Sequence, residues 1–370
     1  MSETATTSSS LELRGASAKQ VQARPYVRAW LILVALLVLA IVTVGGATRL
    51  TESGLSITEW KPLLGAIPPL SHADWLEAFE KYRQIPQYQL INKGMSLEEF
   101  QFIYWWEWAH RFFGRIIGVV FLVPFLFFWF TGRIERAMVP RLAAIFILGG
   151  LQGALGWYMV ASGLAERTSV SQYRLAAHLG LAVLIFGMIL RTVLRLGETE
   201  AQRLPRQPGQ HGAKWLVALI FLQVLLGGLV AGLDAGMGYN TWPLMDGAFV
   251  PQGLLHMSPW WLNAFENAMT VQFNHRMLAY VITLVALVHA AMLWRSFNNR
   301  PVIRSAMVVV GLVLLQAFGG IVTLLHQVPL WLGLVHQAGA VILFGAAIWH
   351  LHRTLYAPVQ QPRVHSAFSA

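Results

Sequence analysis

Four histidines of this 370-residue chain stand in matching places within two series of apolar segments. His110 and His275 each begin a His-Arg dipeptide, and His178 and His336 each follow two apolar segments later. Polar groups inside such segments are costly to bury, so they mark functional positions. A single buried histidine is commonly just a hydrogen-bond partner between helices, but four at corresponding positions favour a shared chemical role.

Pairs of histidines on facing helices are a common way for a four-helix bundle to ligate heme iron. A zinc site is less favoured, because no carboxylate or further histidine clusters with either pair at ligand spacing. Small residues on the same helical face, four positions after each histidine, would leave room for a porphyrin: Gly114, Ala182, Ala279 and Ala340. The pattern therefore favours a bis-histidine heme site in each half of the chain.

The absence of cysteine and the positions of the other histidines limit the possible metal chemistry. The chain has no cysteine, which excludes disulfides, thiolate metal sites and heme attachment through a C-x-x-C-H motif. The remaining histidines fall mostly in predicted loops or at helix ends, and we interpret them as surface or interface residues: His72, His211, His256, His289, His326, His350, His352 and His365.

The two halves differ next to the His-Arg dipeptides. Glu107 precedes His110 by three positions and shares its helical face, whereas Gln272 stands at the equivalent place before His275. Two interpretations of the glutamate remain open: an ion pair with Arg111 or Arg115, or a proton donor or acceptor near a substrate. The difference predicts a reactive site in the N-terminal half and a fixed cofactor site in the C-terminal half.

The elements that must position these side chains are membrane-spanning helices. The chain is 56% hydrophobic and only 12% charged, about half the charged share of a soluble domain. A helix needs about 20 apolar residues to cross a bilayer. Eight segments qualify, which predicts an all-α integral membrane protein: roughly 29–48, 103–131, 142–161, 172–191, 215–233, 269–294, 305–325 and 331–350.

The basic residues predict the orientation of these helices. In a soluble protein the net charge of +10 would suggest nucleic acid, but here the arginines concentrate in the short loops on one side, so no nucleic-acid partner is expected. By the positive-inside rule both termini are cytoplasmic, and the long connections 51–102 and 234–267 lie outside. Four arginines near the outer boundary could hold heme propionates: Arg49, Arg111, Arg115 and Arg276.

Local signals refine the ends of the helices. Ser96 and Glu99 form a predicted capping box, so the second membrane helix begins outside the bilayer. Residues 74–83 are predicted as a short surface helix on the outer leaflet. The first 26 residues lack the apolar core of a cleavable signal, which favours a cytoplasmic tail.

The sequence patterns indicate that the two halves of the chain are repeats of each other. The first helix ends in Gly45-Gly46 and the fifth carries Gly227-Gly228, and each runs into a loop with threonine, tryptophan and proline. Four spans return the chain to its starting side, so the repeat predicts two parallel four-helix bundles. The predicted divisions are a tail (1–26), an N-terminal half with the substrate heme site (27–195), a linker (196–214), a C-terminal half with the heme b site (215–355) and a second tail (356–370).

Several long motifs resemble one known family. The stretches GGATRLTESGLSITEWKPLLGAIPP, PQYQLIN and EEFQFIYWWEWAHRFFGRIIG, with FNHR and VHQ later in the chain, are similar to heme A synthases of the proteobacterial and mitochondrial branch. The resemblance spans about residues 27–355. The Gram-positive branch has a cysteine pair in an outer loop, which this chain lacks, so a thiol step cannot apply here.

The resemblance implies an activity and roles for individual residues. Such enzymes oxidise the C8 methyl group of heme O to a formyl group by successive hydroxylations and loss of water. His275 and His336 match the ligands of a heme b cofactor, while His110 and His178 match the pair assigned to the substrate heme O. Glu107 matches the acidic residue of the family, and we expect it to be catalytic with His110 and His178.

The resemblance also implies a setting. It predicts the bacterial inner membrane, in preference to the mitochondrial inner membrane, with heme O synthase and cytochrome oxidase assembly proteins as partners. We also expect contacts with membrane lipid, with an electron partner of unknown identity and with further copies of the chain in a homo-oligomer. A diheme b-type cytochrome that only passes electrons is the alternative function, and a transporter is disfavoured because broken midplane helices and midplane charges are missing.

Overall fold

A computed structural model describes residues 16–61, 64–196, 198, 208–296 and 299–356. Within these ranges the secondary structure is helical, with no β-strand. The helices are α1 (Ala18–Leu50), α2 (His72–Arg83), α3 (Pro86–Leu90), α4 (Leu97–Phe130), α5 (Val139–Glu166), α6 (Gln172–Arg195), α7 (Pro208–Gly232), α8 (Asn263–Glu266), α9 (Ala268–Ser296), α10 (Arg300–Leu325) and α11 (Leu330–Leu355), with short 3-10 turns at Ser53–Leu55, Leu64–Ala66 and Trp260–Leu262.

Within the described residues, eight helices are long and apolar enough to cross a membrane: α1, α4, α5, α6, α7, α9, α10 and α11. Each coincides with one of the eight predicted spans, so the chain is a multi-pass membrane protein of the predicted class. The connections between α1 and α4 and between α7 and α9 are the long ones, and we call the end of the bundle that carries them the long-loop side.

Capping residues fix where several helices begin. The hydroxyl of Ser96 accepts from the backbone N–H of Glu99 at 3.2 Å, and the Glu99 carboxylate accepts from the Ser96 N–H at 2.8 Å. This confirms the predicted start of the second membrane helix. A capping box of the same kind at Ser17 starts α1 at Ala18, well before the predicted residue 29. The predicted surface helix forms as α2, capped by Ser71.

Helices α1, α6, α7 and α11 pack together at the centre and join the two halves. Glycines at repeat-related positions allow the close approaches. A Cβ atom at Gly228 of α7 would lie 2.9 Å from the Cα of Ala176 in α6, and one at Gly46 of α1 would meet the side chain of Gln337 in α11. The amide of Gln337 also donates to the carbonyl of Val42 at 2.8 Å. This packing fits the predicted pair of four-helix units.

One prediction about histidines is wrong. His289 and His350 are 4% and 0% exposed and lie inside the C-terminal half, with 2.9 Å between their Nε2 atoms. The sequence reading placed them at helix ends, but α11 continues to Leu355 and both rings face neighbouring helices. His72, His211, His256 and His326 are exposed as predicted and His352 is half-buried, whereas His365 lies outside the described residues.

Candidate functional site

The predicted N-terminal histidine pair forms on two neighbouring helices. His110 of α4 and His178 of α6 face each other with 6.4 Å between ring centroids and 71° between ring planes. A metal bonded to both rings through bonds of about 2 Å would hold the centroids about 6 Å apart. The spacing therefore suits an iron atom between two imidazoles.

Each of the four predicted ligand histidines lies toward the long-loop end of its helix and packs against a glycine of an adjacent helix. A Cβ atom on Gly156 or Gly320 would press on the ring and force a shift, one on Gly45 would be tight, and one on Gly227 would be close to ordinary contact. Their positions and the distances from such a Cβ to the nearest ring atom are Gly45 to His110 (3.0 Å), Gly156 to His178 (2.9 Å), Gly227 to His275 (3.4 Å) and Gly320 to His336 (2.8 Å).

Three of the four histidines are also contacted by a glutamine, placed one helical turn before the glycine. In each case the glutamine Nε2 donates to the backbone carbonyl of the histidine: Gln152 to His178 (3.0 Å), Gln223 to His275 (2.9 Å) and Gln316 to His336 (2.7 Å). We call these three residues the bracing glutamines. The corresponding residue of α1, four positions before Gly45, is Ile41.

Several buried polar atoms beside these histidines lack a hydrogen-bond partner within the described residues. They include the Oε1 atoms of Gln152 and Gln223 and the Nδ1 atom of His178. A histidine that binds a metal through one ring nitrogen normally donates the other N–H to an oxygen acceptor. The atoms beside the rings of His275 and His336 are the amide nitrogens of Gln223 and Gln316, at 3.1–3.2 Å. The buried Nδ1 of His178 has no partner among the described residues, and such a ring nitrogen fits a role as a heme ligand.

Glu107 forms an anchor for the loop that follows α1. Its side chain is almost fully buried, and the hydroxyl of Ser56 and the backbone N–H of Ile57 both donate to Oε2 at 2.8 Å. Arg111 donates to Oε1 at 2.6 Å. Of the two predicted ion-pair partners, Arg111 is therefore the one that pairs, while Arg115 donates to the carbonyl of Lys61.

Gln272 forms the equivalent anchor in the C-terminal half with the opposite hydrogen-bond polarity. Its Nε2 donates to the carbonyls of Ala235 and Gly238 at 2.6 and 2.7 Å, and its Oε1 accepts from Arg276 at 2.8 Å. The carboxylate accepts from its loop, whereas the amide donates to the matching loop. Both arginines also donate to two loop carbonyls: Arg111 to those of Ile57 and Glu59, and Arg276 to those of Tyr239 and Thr241.

The predicted propionate-binding arginines are thus tied to the long-loop side. Arg49 is 9% exposed, and its Nη2 pairs with Asp234 of the other half at 2.6 Å. The Nε atoms of Arg49 and Arg276 are buried without a hydrogen-bond partner among the described residues. Buried N–H groups of arginine can donate hydrogen bonds to the carboxylate of a heme propionate. The propionate role of these residues remains a prediction.

The first long loop has its own polar core. Tyr82 is fully buried, which raises its pKa to about 12, and its hydroxyl bonds to Gln87 and Asn92. Gln87 in turn donates to the carbonyl of Glu52 at the end of α1. At the rim, hydrogen bonds from Lys61 and Lys81 lower the pKa of Glu59. The motif PQYQLIN therefore builds the loop and does not enter the histidine site.

The histidines and Glu107 could be identified from the sequence, and Gly45 and Gly227 stood out as repeat positions, but the contacts of the glycines and glutamines with the histidines were not predicted. The missing signal is a Gln-x-x-x-Gly spacing that occurs at Gln152, Gln223 and Gln316. Since position four places both residues on one helical face, this recurrence could have pointed to a common partner on an adjacent helix.

The chain is similar to known proteins over most of its length. The profile of a family described as cytochrome oxidase assembly protein matches residues 28–348. A protein of Parvibaculum lavamentivorans named heme A synthase is 57% identical over 324 residues, which cover 88% of this chain and 93% of the relative. Proteins of the same name from Brucella anthropi and Brucella ovis are 53% and 54% identical and cover 95% and 90% of this chain and 98% and 94% of their own lengths.

Proposed function

We infer that this chain, which belongs to the cytochrome oxidase assembly protein family, is a heme A synthase that converts heme O to heme A. Relatives with that name are more than 50% identical over most of the chain. The single observation that best supports this activity is the pair His110 and His178, whose 6.4 Å ring separation suits an iron porphyrin. The proposed reaction oxidises the C8 methyl group of heme O to a formyl group by successive hydroxylations and loss of water.

The N-terminal half is proposed to hold heme O as substrate and the C-terminal half to hold heme b as cofactor. His110 and His178 would ligate the substrate iron, and His275 and His336 the cofactor iron. When bound, heme b supplies one-electron redox chemistry. The bracing glutamines Gln223 and Gln316 support this assignment, because they contact both histidines of the C-terminal pair.

Glu107 is proposed to exchange a proton during oxidation of the methyl group. The supporting observation is its repeat mate: Gln272 anchors the corresponding loop without any charge. A buried carboxylate is expensive inside a membrane protein, and the other half holds its loop with a neutral side chain. Arg111 keeps the carboxylate in one orientation through its 2.6 Å contact, one turn from His110 on the same helix.

The site is proposed to face the outside of the bacterial inner membrane, with both termini in the cytoplasm. The excess of arginine in the short loops opposite the long-loop side supports this orientation. Reporter fusions at Gln207 and Gly253 should report cytoplasmic and external locations, respectively. The same location for both fusions would contradict the topology. Cytochrome oxidase assembly proteins and the enzyme that supplies heme O are the proposed partners.

Extraction of pigments from the purified protein tests the activity. A heme A synthase should yield heme B together with heme O or heme A, and cells carrying the gene should accumulate heme A. Heme B alone, at two per chain, would instead indicate a diheme cytochrome that only transfers electrons.

A further inference from the structure

We propose that a slot between α4 and α5 binds the isoprenoid tail of heme O. The inference rests on the proposed function, because it assumes that heme O is bound in the N-terminal half. Heme O carries a farnesyl-derived tail and heme b does not, so a tail site would let this half distinguish substrate from cofactor. Four residues line the slot, and we call them the slot glycines: Gly114 and Gly118 of α4, and Gly149 and Gly153 of α5.

The slot glycines border open space instead of a close helix contact. Glycines four residues apart commonly allow two membrane helices to approach closely, so that a Cβ atom there would meet the neighbouring helix. A Cβ atom on Gly118, Gly149 or Gly153 would meet no atom from other parts of the described chain within 4 Å, and one on Gly114 would meet only Ile41, at 3.7 Å. These glycines therefore leave room between the helices.

An aromatic pair shows that the slot glycines lie where α4 and α5 face each other. Phe121 of α4 stacks on Phe146 of α5, with 6.1 Å between ring centroids and 17° between ring planes. Gly118 precedes Phe121 by three positions and Gly149 follows Phe146 by three, so each shares the face of its helix that takes part in the stack. The stack closes the slot at the end away from the long-loop side.

The other end of the slot meets the histidine pair. Gly114 is one turn from His110, and Gly153 stands three residues before the glycine that packs on His178. Phe121 follows His110 by eleven positions, which is about 16 Å along the helix axis. The slot therefore extends beyond the edge of a porphyrin ligated by the histidines, in the direction that a tail on that edge would take.

The C-terminal half fills the corresponding positions with larger side chains. Aligned through the histidines and the bracing glutamines, the counterparts of the slot glycines are, in order, Ala279, Thr283, Val313 and Ala317. All four slot glycines are exposed, whereas none of these counterparts is. Val313 is 4% exposed and belongs to the hydrophobic core together with Ile282 and Val309. The half proposed to hold the tailless heme b thus has a closed core where the other half has the slot.

A buried polar atom at the upper end of the slot supports a ligand there. Gln152 shares a face of α5 with Gly149 and Gly153. Its amide nitrogen donates to the carbonyl of His178, but its Oε1 atom is buried without a hydrogen-bond partner among the described residues. Such atoms usually have a partner in the complete assembly. The tail of heme O begins at a carbon that bears a hydroxyl group, and this group can donate to Oε1.

A tail in the slot would also orient the porphyrin. The propionates of heme O stand on the edge of the ring away from the tail. With the tail directed toward Phe121, the propionates point toward the long-loop side, where Arg111 lies. Rotation about the axis through the two histidines is then blocked, and the C8 methyl group keeps one position in the site.

Selective loss of heme O binding tests the slot. Full-length protein that already carries heme b is titrated in detergent with heme O or with additional heme B, and absorption spectra report binding to the N-terminal half. Wild type should bind heme O more tightly than heme B. Gly118→Thr combined with Gly149→Val copies the C-terminal half, and this overpacking should weaken heme O binding about tenfold or more while heme B binding stays within about twofold.

The matched control is Gly311→Val on α10. Gly311 also borders open space, but it lies in the other half, so this variant should bind both hemes as wild type does. Glycine is a poor helix former, so the substitutions in the slot should not weaken the helices, and the heme b content reports whether each variant folds. If the double variant does not fold, Gly149→Ala and Gly153→Ala decide the proposal, since each should lower heme O binding more than heme B binding.

The outcomes separate this inference from the proposed function. Equal losses of heme O and heme B would overturn the proposal, because the slot glycines would then serve the porphyrin or the fold. Wild-type affinity for heme O in the double variant would also overturn it and would assign the slot to membrane lipid. If that variant still forms heme A, the function stands without the inference, whereas wild-type protein that binds neither heme in its N-terminal half refutes both.

Discussion

The two halves of this protein repeat one architecture but support their histidines differently. In the C-terminal half both ligand histidines have a bracing glutamine, and the loop anchor is the neutral Gln272. In the N-terminal half one of the two braces is replaced by Ile41, and the anchor is the charged Glu107. The two halves thus share the packing of helices and glycines, while a few polar differences distinguish the proposed cofactor site from the proposed substrate site.

The largest effect is expected from removal of a histidine at the proposed heme b site of the C-terminal half. His275→Ala or His336→Ala removes one of two proposed heme b ligands. The low-spin b-type absorption spectrum should be lost or converted to a high-spin form in both variants. A normal low-spin b spectrum in both would show that heme b is bound elsewhere and that the contrast between the halves is misassigned.

Substitution of the loop anchor Glu107 by glutamine, the residue of the other half, tests what the charge contributes to the difference between the halves. Glu107→Gln should preserve membrane insertion and heme b, because the proposed heme b ligands lie in the other half and the amide oxygen can still accept from the N–H of Ile57. Heme A formation should fall by about 10²- to 10⁴-fold, or stop at a hydroxylated intermediate, because an amide cannot exchange the proton.

The structure also identifies what could confound that experiment. Loss of the charge leaves Arg111 without its partner at 2.6 Å, and an uncompensated buried charge destabilises a protein. Heme b content and thermal stability of Glu107→Gln therefore have to be measured together with pigments. Wild-type levels of heme A in this variant would remove Glu107 from the proposed chemistry and leave only its anchoring role.

A smaller effect is expected from substitution in the second histidine pair of the C-terminal half, His289 and His350. The hydroxyl of Ser305 donates to the carbonyl of Val302, so it accepts from Nδ1 of His350 at 2.8 Å, and His350 Nε2 must then accept from Nε2 of His289. This chain of bonds ties α9, α10 and α11 together. His350→Leu should lower the free energy of unfolding by about 1–3 kcal/mol, because it leaves His289 buried without its partner.

Thermal unfolding in detergent measures that loss, and the N-terminal half supplies the control. Thr192 stands at the place that corresponds to His350, fourteen positions after the proposed ligand histidine of its helix, and its hydroxyl donates to the carbonyl of Met188 in the same helix. Thr192→Val should cost less than about 1 kcal/mol. Equal losses for the two variants would mean that the histidine pair adds nothing specific to the C-terminal half.

The smallest effect concerns the ion pair between the halves. Arg49 and Asp234 are 2.6 Å apart, but the Asp234 side chain is 57% exposed. Solvent screening limits such a pair to about 0.2–1 kcal/mol. Asp234→Asn should therefore shift the unfolding temperature slightly, with the shift vanishing at high salt. A loss of several degrees that persists in high salt would show that the pair holds the halves together.

Features that depend on bilayer thickness or on local hydrogen bonds could be predicted from the sequence. The eight spans follow from the length of apolar helix that a membrane requires, and the capping box at Ser96 forms because its partners are three residues apart. The asymmetry between Glu107 and Gln272 was visible because a repeat allows two halves to be compared residue by residue. The sequence alone left open whether Arg111 or Arg115 pairs with Glu107.

Only the tertiary structure decided how the helices are rotated and which faces meet. The contact of Gln223 with His275 and the burial of His289 against His350 join residues more than 50 positions apart, and each glycine beneath a ring lies on a different helix from its histidine. Such contacts depend on the crossing of separate helices, and every apolar face of a membrane helix satisfies the lipid equally well. The histidines could therefore be found by pattern, whereas their partners required the packed structure.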